Sequence, residues 1–138
     1  MITKKIKNHL NNLAEIFDVK VEGHFCNILN FKEIPSEIIN GVYILFYQNQ
    51  IIYVGKGIVR NRQEMHIEKL SGHFNKAKDT VGFKLLRNKK KIIIGDCQVY
   101  YFNAYTKSAS SAFESALIHF LQPLANKETF EQFYKSEQ

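Results

Sequence analysis

The chain has 138 residues, 45% of them hydrophobic and 23% charged, which fits one globular domain with a real core and excludes a low-complexity chain. Lysine and arginine number 19 against 13 aspartates and glutamates, and the net charge of +6 favours a polyanionic partner. No apolar run approaches the roughly 20 residues of a membrane span, and the N-terminus lacks a signal-peptide apolar segment, so a cytoplasmic protein without membrane contact is expected.

In chain order, Ile6, Leu10, Leu13, Ile16 and Phe17 recur at helical spacing and predict an amphipathic helix over residues 2–17. Residues 18–40 are mixed in pattern, with Pro35 near their end. The stretch GVYILFYQNQIIYVGKG, Gly41 to Gly57, reads as a β-hairpin with strands near 42–47 and 51–55, joined by Gln48, Asn49 and Gln50. A helix is expected from Val59 to Leu70, ended by Gly72. A second helix should run to about Asn88, and KIIIGDCQVYYF reads as a third strand interrupted at Gly95. Ser108 to Leu121 predicts a last helix, capped by serines and stopped by Pro123. Cys26 and Cys97 form no CxxC pair, so neither a disulfide framework nor a zinc site is supported. The order of elements predicts an α+β fold, with a small, mostly antiparallel sheet of about three strands flanked by helices. Residues 1–40 are expected to form an N-terminal helical extension packed on a domain of residues 41–138.

Polar groups break this pattern in three places. In the hairpin, pairing of Tyr47 with Ile51 would put Tyr43, Tyr53 and Gly55 on one face, with the tyrosines as diagonal neighbours. A one-residue slip would part them, and tyrosine is in any case a common strand residue. On the helix after the hairpin, Arg60, Asn61, Glu64 and Glu68 form a solvent face. Arg62 and His66 fall within the opposite arc of Ile58, Val59, Met65, Ile67 and Leu70. They read either as a snorkelling arginine and a satisfied core histidine, or as a phosphate-binding arginine beside a proton-handling histidine. On the last helix Ser115, His119 and Gln122 form the polar side, whereas Glu114 sits at the edge of the apolar arc and calls for a lysine partner or a bound cation. Asn126 alone would mean a turn residue. On a basic domain this combination suggests metal-assisted phosphodiester chemistry.

The same residues fall in order. Gly41-Val42-Tyr43 and Tyr53-Val54-Gly55 lie ten residues apart from tyrosine to tyrosine, followed by RQEMH from Arg62 to His66, Glu114 in ESALI and Asn126 in PLAN. This ordered set, over residues 41–126, resembles the GIY-YIG nucleases in a short stand-alone bacterial or phage form. The chain departs from many members in having Lys56-Gly57 where a serine or threonine follows the second motif, and from several branches in a gap from Tyr53 to Arg62 about one residue shorter; a second DNA-binding domain of the homing-enzyme kind is not expected. The resemblance implies a metal-dependent DNA endonuclease, with one Mg²⁺ or Mn²⁺ held by Glu114 and the scissile phosphate clamped by Arg62. Tyr43 is favoured as the group that activates water, assisted by Tyr53 and His66, with Asn126 supporting the site through hydrogen bonds. A free phenol has a pKa near 10, so Arg62, Lys56 and the metal would have to favour its phenolate. Given a nuclease, Lys56, Lys84, Arg87, Lys89, Lys90 and Lys91 are expected to hold the DNA backbone, duplex or branched, and a homodimer is compatible with the small size. Two other readings are a catalytically silent nucleic-acid-binding module of the same fold, and an interaction domain that uses the N-terminal helix.

Overall fold

In the computed structural model, which describes residues 2–127, the first element is helix α1, Lys4–Phe17. The Thr3 hydroxyl caps its start by accepting from the Ile6 N–H at 3.2 Å. Its apolar stripe of Ile6, Leu10 and Leu13 is buried against one face of a sheet. That sheet has four antiparallel strands where three were expected: β1 His24–Asn27, β2 Gly41–Tyr47, β3 Gln50–Gly57 and β4 Cys97–Asn103, in the order β1-β4-β2-β3. The unexpected strand is HFCN. Four residues are too few to display an alternation, and their partners lie far along the chain, with His24 opposite Tyr101.

Residues before 41 are therefore built into the fold rather than appended to it. Ile6, Leu10 and Leu13 belong to the core layer on one face of the sheet, and Ile28, Ile34 and Ile38 to the layer on the other. Residues 128–138 of the expected domain lie outside the described residues.

Strand β2 is central and buried along its whole length. Val42, Ile44 and Phe46 face the layer of α1 and of helix α4 (Lys107–Leu121), while Tyr43, Leu45 and Tyr47 face the layer of helices α2 (Val59–Ser71) and α3 (Val81–Lys89), as the period of two requires. Burial of each aliphatic or phenylalanine side chain among these contributes about 1.5–3 kcal/mol. The hairpin turn is tighter than expected. Gln48 (φ 48°) and Asn49 (φ 69°) are both left-handed, which makes a two-residue turn of the kind that suits twisted strands. The shorter turn shifts the register near it, so Tyr47 faces Gln50 and Phe46 faces Ile51. Ile52 is then the extra residue of a β-bulge, beyond which the expected register holds: Leu45 faces Tyr53 and Tyr43 faces Gly55.

Helix α2, Val59–Ser71, ends at Gly72 with φ 78°. Helix α3, Val81–Lys89, follows, and Gly95 sits in a 3₁₀ turn at Ile94–Asp96, so the strand begins only at Cys97. Helix α4, Lys107–Leu121, is capped by Thr106, whose hydroxyl accepts from the Ala109 N–H at 3.0 Å. The serines do not cap it: Ser110 is buried and donates to the Lys107 carbonyl at 2.9 Å. Both cysteines are free thiols. No helix among the described residues is long and apolar enough to cross a membrane.

Candidate active site

The β2–β3 hairpin places Tyr43 and Tyr53 on one face, with ring centroids 6.2 Å apart. Gly55 makes this possible. A Cβ there would overlap the Tyr43 hydroxyl and stand 2.9 Å from the Tyr53 ring, so only a bare backbone lets the Tyr43 side chain cross the strand. Gly57 has φ +123°, which disfavours any L side chain, and the Arg62 Nε would lie 3.0 Å from a Cβ at that position. Gly57, the last residue of β3, thus lets the Arg62 guanidinium rest against the chain.

Helix α2 brings His66 under the tyrosines. Its Nε2 lies 2.7 Å from the Tyr43 hydroxyl, and the tautomer decides which of the two donates. The imidazole stacks on Phe83 of α3 at 5.4 Å and lies 4.8 Å from the Tyr53 ring. His66 is 3% exposed, and burial, with help from Lys69 and Arg62, lowers its pKa to about 3, so it is neutral in the free protein. Its Nδ1 has no hydrogen-bond partner among the described residues. Burial pushes Tyr43 well above the usual phenol range; Tyr53 and Glu114 add to this, and Arg62 opposes it. Tyr53 is raised by burial and Glu114 against the pull of Arg62. The expected cationic field is present, but in the free protein burial outweighs it.

Glu114 projects from α4 toward the same place. It is half-buried and makes no hydrogen bond or ion pair to a described residue. Burial raises its pKa, opposed by Lys56 and Arg62. Lys56 is steadied by donating from Nζ to the Ser111 hydroxyl at 2.5 Å. Tyr43, Tyr53, Lys56, Arg62, His66 and Glu114 all line one cleft of about 150 Å³, whose wall Met65 and Lys69 complete. Three cations face one carboxylate there, an arrangement that attracts anions.

Several polar residues lie elsewhere than expected. Arg62 is exposed at the cleft rather than set in an apolar arc, and the stripe that α2 buries is Val59, Gln63, His66 and Leu70. Gln63, overlooked in the sequence, is wholly buried; its Nε2 donates to the Val59 carbonyl at 3.1 Å. Arg60 is not a free solvent cation, because it donates to the carbonyls of Ile34 at 2.7 Å and Lys32 at 2.6 Å. Glu68 accepts from the N–H groups of Asn75, Lys76 and Ala77, and these bonds hold its carboxyl below the usual range.

Of the basic residues expected on DNA, only Lys56 lines the cleft. Arg87 is committed to the fold, bound to both Asp79 oxygens at 2.9 and 2.6 Å and to the Lys69 carbonyl at 2.5 Å. Lys90 donates to Gln50 at 3.0 Å and lies over the Tyr47 ring, while Lys84, Lys89 and Lys91 are exposed outside the cleft. Lys69 is the cleft residue the sequence reading missed. A helical wheel places it within about 20° of Arg62, but a lone lysine reads by default as solvent-facing.

Asn126 stands behind the cleft. Its amide accepts from the Val54 N–H at 2.8 Å and donates to the Val54 carbonyl at 2.9 Å. Strand β3 is an edge, so these outward backbone groups need partners, and the asparagine supplies one acceptor and one donor. Asn126→Ala is expected to lower stability by about 1–3 kcal/mol in urea unfolding, because both groups lose their partner.

Among the described residues no three His, Cys, Asp or Glu side chains are grouped to hold a metal ion. The uncommitted Glu114 carboxylate suits instead a hard cation that keeps most of its waters. Compared with known proteins, the chain matches no family model, no curated protein and no solved structure.

Proposed function

We propose that the protein is a metal-dependent endonuclease that hydrolyses DNA phosphodiester bonds, with the chemistry of the GIY-YIG nucleases its motifs resemble. The observation that carries this reading is the meeting of Tyr43, Tyr53, Lys56, Arg62, His66 and Glu114, from four elements, in one cleft. The charge balance suits a phosphate, and the Glu114 carboxylate is uncommitted.

Glu114 would hold Mg²⁺ or Mn²⁺, and the bound cation would supply charge neutralisation at the attacked phosphate and the leaving oxygen. Arg62 presents its planar fork to the phosphate oxygens. Tyr43 takes a proton from the attacking water while passing its own to His66 Nε2, 2.7 Å away. A neutral imidazole is required for that transfer, and burial keeps it neutral. The negative charge of an incoming phosphate raises the basicity of His66 as the substrate arrives. Tyr53 walls the imidazole, and Asn126 holds the strand that carries Tyr53.

Supercoiled plasmid incubated with the protein and Mg²⁺ or Mn²⁺ is expected to be nicked and linearised, and to stay intact with EDTA. Binding of the plasmid without cleavage under any of these metals would overturn the enzymatic reading in favour of a nucleic-acid-binding module.

A further inference from the structure

Lys69 is the group in the cleft to which the nuclease reading gives no role. It follows Arg62 by seven residues on α2, so both cations lie on one stripe of the helix, offset by about 10 Å along its axis. The Lys69 ammonium sits 5.4 Å from the centroid of Phe83, the ring stacked on His66. Its residue is half-buried, yet no carboxylate lies within ion-pair distance of it among the described residues. The acidic group nearest in effect, Asp79, is already held by both arms of Arg87. Burial and Arg62 together lower the Lys69 pKa, the signature of a cation without enough negative charge around it. A half-buried cation gains from a neighbouring anion, and none of the described carboxylates pairs with this one.

We infer that Lys69 holds the phosphate next to the one gripped by Arg62, so that the cleft engages two successive phosphates of one DNA strand. This rests on the nuclease reading. The offset of the two cations supports it: successive phosphates of a strand advance by about 3.4 Å along the duplex axis, and long flexible side chains starting about 10 Å apart reach two such groups more readily than they converge on one. Lys69 would be a positioning residue, setting where along the strand the scissile phosphate comes to rest.

The test is the salt dependence of binding. A short fluorescein-labelled duplex is titrated in EDTA over a series of NaCl concentrations with the wild type, Lys69→Gln, Lys69→Arg, Arg62→Gln and the Arg62→Gln/Lys69→Gln double variant. Lys7→Gln, on an exposed position of α1 across the sheet, is the control. Each single glutamine variant is expected to weaken binding several-fold and to reduce the slope of log K against log salt by about 0.9, and the double variant by about 1.8. Lys69→Arg is expected to restore the wild-type slope. A double variant with no more loss than either single one would mean both cations share one phosphate, and would overturn the inference. A Lys69→Gln slope equal to that of the wild type and Lys7→Gln would overturn it too, leaving the nuclease reading intact. A wild type without salt-dependent DNA binding would remove that reading and this inference together.

Discussion

Glu114→Gln is expected to abolish plasmid cleavage, with a loss of about 1000-fold or more, while duplex binding in EDTA persists. Metal-assisted stabilisation of a phosphoryl transition state is worth several kcal/mol, and each 1.4 kcal/mol is a factor of about ten. Glutamine has the shape of glutamate but lacks the charge that holds a hard cation. The fold has little reason to suffer, because the carboxylate carries no hydrogen bond or ion pair to a described residue and burial already disfavours its charge. Removing it also leaves Lys56, Arg62 and Lys69 unopposed, which maintains attraction for the DNA backbone. Undiminished cleavage by this variant would rule out Glu114 as the metal ligand.

The second large effect is on acid stability. His66 has a pKa of about 3 in the folded protein, against about 6.5 for a free imidazole. Between these values the unfolded chain binds a proton that the folded one refuses, so stability falls as pH drops. The contribution is fully present above pH 6.5 and is lost progressively toward pH 3, at about 1.4 kcal/mol per pH unit and about 4–5 kcal/mol in all. Urea unfolding at a series of pH values would show it. His66→Gln, which keeps a polar group near Tyr43 but does not titrate, should lose much less stability over the same range. Parallel curves for the two proteins would show that His66 is not held neutral by burial.

What could be read from the sequence was whatever depends on local period. Tyr43 and Tyr53 share a face because strands alternate, and the register beyond the bulge is the one the hairpin suggested. The bulge itself was hidden, since Ile51 and Ile52 are both apolar and either can face either layer. The wheel placed His66 correctly. It misplaced Arg62 because α2 buries only a narrow stripe, leaving the residue just beside that stripe open to the cleft. Strand β1 was not visible because its existence depends on β4, more than seventy residues away. The commitments of Arg60, Arg87 and Asn126 were hidden for the same reason, as each long polar side chain answers a backbone or acidic group placed by tertiary structure.

The Asn126 contact has a meaning for the chain in a crowded solution as well. Strand β3 runs through the apolar, β-prone segment QIIYVG, and an open edge with that sequence is a template on which another chain can add a strand. By occupying both backbone groups of Val54, Asn126 interrupts the ladder at its midpoint and leaves an arriving strand no continuous row to match. The residue that steadies the hairpin under the cleft thereby also guards the protein against edge-to-edge aggregation.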